Sequence, residues 1–98
     1  MLDFETFNVL VGTHVSALSA EHGAVPLEVV EVKKADGVDR PDNAFSVLFK
    51  GPRELFLEQS TYETTLGEAG THAVFIVPVI EESDGYVYEA VFTALNAD

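Results

Sequence analysis

The sequence has no cysteine. That absence removes disulfides, thiolate nucleophiles and Cys-ligated zinc or iron–sulfur centres together, and it fits a reducing compartment. Cations are nearly as scarce: 5 Lys plus Arg stand against 17 Asp plus Glu, for a formal net charge of −12 at pH 7. Affinity for nucleic acid comes largely from cationic side chains that displace condensed counterions, so DNA and RNA are poor partners for this chain, as are anionic lipid headgroups. The charge suits a basic partner surface, but a diffuse field carries no address, and solubility or a salty medium accounts for it as well. No stretch approaches the ~20 apolar residues of a membrane-crossing helix. The first residues include Asp3 and Glu5 and no Lys or Arg, unlike the basic start of a secretory leader. No signal peptide and no membrane partner are expected, and the cytoplasm is the default location.

Catalytic patterns are missing too. A Gly-x-Ser-x-Gly elbow is absent, and nucleophilic catalysis needs such a residue with a base in reach. His14, His22 and His72 show no ligand spacing such as His-x-x-x-His and read as isolated surface or half-buried side chains. The acidic stretch Asp36, Gly37, Asp39, Asp42 and Asn43 places oxygen ligands around a glycine, yet it lacks the spacing and terminal Glu of an EF-hand and reads as a solvated loop. Glu81, Glu82, Ser83 and Asp84 read as a charged turn guarding a hairpin. Gly67 and Gly70 lie between strands and cradle no phosphate ahead of a helix. The chain is therefore expected to be no enzyme, with no cofactor and no metal site.

What is present is β patterning. A chain of 98 residues with 47% hydrophobic content supports one core, so 1–98 is read as a single domain. Phe4, Phe7, Leu10 and Val11 recur at helical spacing behind Asp3 as N-cap, with Gly12 as the stop. Roughly six strands follow, near 13–19, 25–33, 45–49, 62–66, 73–80 and 86–93. The apolar phase of the second slips between Val29 and Val30, which predicts a β-bulge. Ala73 to Ile80 is apolar on both parities, which predicts a strand covered on both faces, with Pro78 at a bulge or an unpaired end. Asp84 and Gly85 supply hairpin-turn chemistry before Tyr86, Tyr88, Ala90 and Phe92. Ala35 to Asn43 reads as a polar loop and Leu95 to Asp98 as a frayed tail. The expected fold is all-β: a small antiparallel barrel or two-sheet sandwich with a short N-terminal helix.

The one candidate binding patch is Leu55, Phe56 and Leu57. Three consecutive apolar residues after the Gly51–Pro52 break either present a side chain outward as an interface or close the barrel edge. Two functions fit a domain without catalytic residues. One is an interaction module that docks on a protein partner or a second copy through this patch or an unpaired strand edge. The other is a barrel whose mouth, lined by Phe49, Tyr62, Tyr86 and Tyr88, holds a small ligand.

A set of residues extends across nearly the whole chain: Phe7, Leu10 and Gly12; Phe45 to Phe49 with Gly51 and Pro52; Leu57, Gln59 and Tyr62; Phe75, Val77 and Pro78; and Gly85 with Tyr88 to Phe92. On these the sequence resembles a poorly characterised bacterial family of β-rich domains of about this length. The resemblance implies a structural role, as an accessory component of a phage-tail-like or tail-fibre-like assembly, because genes of that family neighbour tail-collar and tail-fibre-like proteins. A location within a phage-tail-like particle would follow. The chain departs from the family in its strong acidity and in its residues beyond the final aromatic.

Overall fold

The structure, a computed structural model, describes residues 2–34 and 44–93. The expected acidic loop (Asp36, Gly37, Asp39, Asp42, Asn43) and the tail from Leu95 to Asp98 lie outside the described residues. One helix, α1 (Phe4–Asn8), precedes six strands: β1 (His14–Ser19), β2 (Gly23–Lys34), β3 (Ala44–Pro52), β4 (Ser60–Thr65), β5 (Thr71–Glu82) and β6 (Gly85–Thr93). All the pairings are antiparallel, and the order β1-β2-β3-β6-β5-β4 closes on itself where β4 meets β1. The fold is therefore an all-β closed barrel with one short helix, and the sandwich alternative is set aside.

Period-two alternation fixes which side chains fill it. Along β3, Phe45, Val47 and Phe49 are buried while Ser46, Leu48 and Lys50 are half-buried on the outer side. Their partners on β6 follow the same phase, Phe45 opposite Phe92, Val47 opposite Ala90 and Phe49 opposite Tyr88. On the far side Val15, Ala17, Val25 and Leu27 complete the interior.

Both expected irregularities are present. The β2–β3 register shifts between Val29 and Glu31, so Val29 faces Phe49 and Val32 faces Val47, with Val30 displaced to the surface. The β5–β6 register shifts between Pro78 and Ile80, at the residue that has no N–H to give to a ladder. The turn from β5 to β6 is formed by Ser83 and Asp84, since Glu82 already pairs with Gly85. Gly85 is needed for space and not for a left-handed turn: a Cβ there would fall onto the Gly51 carbonyl oxygen across the sheet.

The helix is shorter than its apolar spacing suggests. Asp3 caps it by accepting the Thr6 N–H at 2.9 Å, and the last helical residue is Asn8. The chain then reverses through Gly12, at φ 90°, a conformation that suits glycine. Gly12 donates its N–H to the Val29 carbonyl at 2.8 Å, which ties the reversal to β2. Val9 and Val11 are left exposed, and Phe7 alone is wholly buried, with ring centroids 5.9 Å from Phe45 and 5.1 Å from Phe92. The helix is a plug at one end of the barrel.

One expectation is corrected. Strand β5 is not covered on both faces: Val74 and Ile76 point inward, but Phe75 is 50% exposed and Ile80 52%. A closed barrel has only one interior, so Phe75 on the second parity must face outward, and the register shift after Pro78 turns Ile80 out as well.

Candidate functional site

The segment after β3 closes the end of the barrel opposite the helix. Leu57 is buried, and its N–H donates to the Tyr88 hydroxyl at 3.0 Å within the core. Leu55 is half-buried and packs against the core, and Phe56 lies at the margin, its ring 4.7 Å from that of Tyr86. The three consecutive apolar residues thus divide between interior and rim, and of the three only Phe56 offers much surface. Two cations fasten this end. Arg53 donates to the Glu82 carbonyl and to the Glu81 carboxylate, each at 2.8 Å. The Lys50 ammonium meets Glu82 at 2.7 Å and Asp84 at 3.2 Å.

These ion pairs set the electrostatics of the hairpin. Hydrogen bonds to Glu82 and then Asp84 hold the Lys50 ammonium above its ordinary value, and the hydrogen bond from Lys50 holds the Asp84 carboxyl below its own. An ammonium kept protonated in this way is a poor nucleophile or base. It lies at one wall of a surface recess of about 360 Å³ formed with His14, Pro26, Glu28 and Pro52.

The side chains considered for chemistry are dispersed. His14 lines that recess, His22 is half-buried beside the β1–β2 turn, and His72 shares a hydrogen bond with the Ala69 carbonyl at 2.7 Å. Among the described residues no three His, Asp or Glu side chains gather as a metal site. Phe49 and Tyr88, two of the four residues considered for a ligand-holding mouth, are fully buried. Tyr62 spends its hydroxyl on the Glu58 carbonyl at 2.5 Å.

The open surface is on the outside of β5 and β6. Strand β5 changes partners along its length: Thr71 to Ile76 pair with β4, and Val77 to Glu82 pair with β6. On β6, the last rung to β5 is Glu89 opposite Val77, whereas its other edge stays paired with β3 as far as Thr93. Two residues beyond that rung, on the same outer side, stand Val91 and Phe75. With Val79 and Ile80 they form an apolar outer face, Val91 being 63% exposed. Sequence reasoning missed this face by taking the second apolar parity of Ala73 to Ile80 as buried. The signal was legible, because a chain with one core cannot cover both sides of a barrel strand.

Within that face Glu89 lies half-buried, directly between Leu48 on β3 and Val77 on β5. Its carboxylate has no hydrogen-bond or ion-pair partner among the described residues.

The barrel, the N-terminal plug and the aromatic strand phases extend through the region matched by one family model, residues 2–92. The chain belongs to the DUF6916 family. That family is a domain of unknown function, and its match spans the helix and all six strands up to Phe92. No curated protein and no solved structure matches the chain. Among the described residues of this DUF6916 domain, no helix is long and apolar enough to cross a membrane.

Proposed function

We propose that this DUF6916 domain is a non-catalytic protein-docking module that offers the outer face of β5 and β6 to a partner. The observation carrying the reading is the exposure of Phe75, Val79, Ile80 and Val91 on one side of a barrel whose inward side chains pack as one hydrophobic core. Clustered apolar surface of this kind marks interaction sites on proteins otherwise covered by charge. Among the described residues the β5-side edge of β6 is unpaired beyond Glu89, which adds backbone groups that an incoming strand could meet. Phe56 packs on Tyr86 and Tyr88 at the barrel mouth, apart from that face, and the Leu55–Leu57 segment chiefly supports the fold.

The resemblance noted from the sequence adds a context: an accessory component of a larger, tail-fibre-like assembly. The ligand-holding mouth has less support, since Phe49 and Tyr88 are taken up in core packing.

The test is affinity purification from the native host with the wild-type chain and with a Phe75→Ser, Val91→Ser variant. Proteins recovered with the first and lost with the second, while circular dichroism shows the variant folded, support the reading. Equal recovery with both would remove this face from the function.

A further inference from the structure

We infer that the partner of the β5–β6 face is a basic protein surface, and that Glu89 is the anchor for an Arg or Lys at the centre of the contact. The inference rests on the docking reading above and specifies its chemistry.

Rows of outward side chains ring the barrel. Glu31, Leu48, Glu89 and Val77 lie opposite one another across β2, β3, β6 and β5 on the outer side. The next row toward the hairpin carries Glu28, Lys50, Val87 and Ile80. Glu89 therefore has Leu48 and Val77 beside it and Val87 and Val91 before and after it along the strand. This is an unusual place to leave a carboxylate without a counter-ion. Of the described cations, Lys50 is held by Glu82 and Asp84, Arg53 by Glu81, and Lys34 sits 4.8 Å from the Phe4 ring centroid, while Lys33 stands on the outer side of β2 opposite Ser46, in the neighbouring row that leads to Val91, and makes no ion pair with Glu89.

A charge set among apolar neighbours interacts more strongly with an opposite charge once a partner excludes water, because the local dielectric falls. The same burial penalises any partner that brings no cation, since Glu89 would then be desolvated unpaired. The face thus selects for a positive charge near its centre and apolar groups around it. The field of the whole chain acts in the same sense, with its net charge of −12. That field also opposes a second copy as the occupant, since two such chains repel each other.

The test uses the full chain, isotopically labelled, titrated with three synthetic strand-length peptides: alternating Val and Arg, alternating Val and Glu, and alternating Val and Ser. The expected result is that the Val–Arg peptide alone binds, with amide shifts concentrated at Leu48, Val77, Glu89 and Val91. Glu89→Gln should weaken it roughly tenfold, and Glu89→Lys should transfer binding to the Val–Glu peptide. Shifts spread over the whole acidic surface, or unchanged affinity in Glu89→Gln, would overturn the anchor. Equal binding of the Val–Ser peptide at the same residues would remove the charge requirement while leaving the docking face intact. If none of the peptides perturbs this face, and sedimentation of the wild-type chain shows a dimer that Val91→Asp dissociates, the occupant is a second copy and the basic partner is excluded. If none binds and the chain stays monomeric, the docking reading itself falls.

Discussion

The Tyr88 hydroxyl accepts the backbone N–H of Leu57 at 3.0 Å, and both residues are buried. The bond joins the closing segment to the strand that carries the candidate docking face.

Removing that acceptor should leave a buried N–H unsatisfied. Tyr88→Phe is expected to cost about 1–3 kcal/mol, which for a domain of this size lowers the midpoint by roughly 4–8 °C for each kcal/mol. Thermal unfolding followed by circular dichroism measures it. A change below about 0.5 kcal/mol would mean that water replaces the phenol. Burial also pushes the Tyr88 phenol up. The folded chain then keeps a proton that the unfolded chain releases above about pH 10, so stability should fall as pH rises from there through the folded value. The alkaline loss should be shallower in Tyr88→Phe.

Phe7 is the one residue of the helix that is wholly buried. Phe7→Ala should cost about 3–5 kcal/mol, because Phe7 fills the space between Phe45, Phe49 and Phe92. Urea titration gives the value, and a loss under about 1 kcal/mol would show that the barrel closes without its plug.

Two glycines should respond for different reasons. In Gly85→Ala the new methyl meets the Gly51 backbone, which has no side chain to swing aside, so a cost at or above the 1–3 kcal/mol of ordinary overpacking is expected. Gly12→Ala meets nothing within 4 Å but must hold φ at 90°, for a cost of about 1–2 kcal/mol. Equilibrium unfolding of both variants decides the order, and a larger loss in Gly12→Ala would contradict the register assigned to the β5–β6 hairpin.

The Lys50–Asp84 pair should show in the pH dependence. Asp84 is held below its ordinary value by Lys50. Its contribution is present above the unfolded value near 4 and disappears as pH falls through the folded one. Lys50 behaves in the opposite sense: its contribution is full below its unfolded value and is lost as pH rises through the raised one. The stability gap between wild type and Asp84→Asn should therefore be small at neutral pH, as for exposed pairs, and should shrink further in acid. A gap that stays constant down to about pH 2 would mean the carboxylate charge contributes nothing.

Phe75→Ser and Val91→Ser should each change stability by no more than about 0.5 kcal/mol despite removing large apolar groups, because both are at least half exposed. Losses above about 2 kcal/mol, which point to core packing, would place these residues inside.

Much of the fold was legible because barrel strands announce themselves locally. Phe45, Val47 and Phe49 alternate with outward residues, the slip at Val29–Val30 marks an added residue, and Pro78 marks the other irregularity. The outward apolar face of β5 and β6 needed one further premise, that the sheet closes into a barrel with a single interior. Whether Phe75 or Ile80 is covered depends on what lies outside the strand, and that is a property of the closed topology and not of the residues themselves. Leu55 to Leu57 illustrate the same limit: identical hydrophobicity, but Leu57 is bonded to Tyr88 in the core while Phe56 sits at the rim. Glu89 looked like an ordinary outward residue until the strand order set Leu48 and Val77 on either side of it.

The division of aromatics between the two ends has a spectroscopic consequence. The chain has 3 Tyr and no Trp. Tyr86 and Tyr88 pack at a tilt against Phe56 at the end fastened by Leu57, and Tyr62 bonds to Glu58 in the same connecting segment. Among the described residues the aromatic contacts of the helical plug are with phenylalanines alone. Intrinsic ultraviolet emission therefore watches one mouth of the barrel and is nearly blind to the other, so detachment of the plug before the strands separate would pass unseen in fluorescence and register only in amide signals.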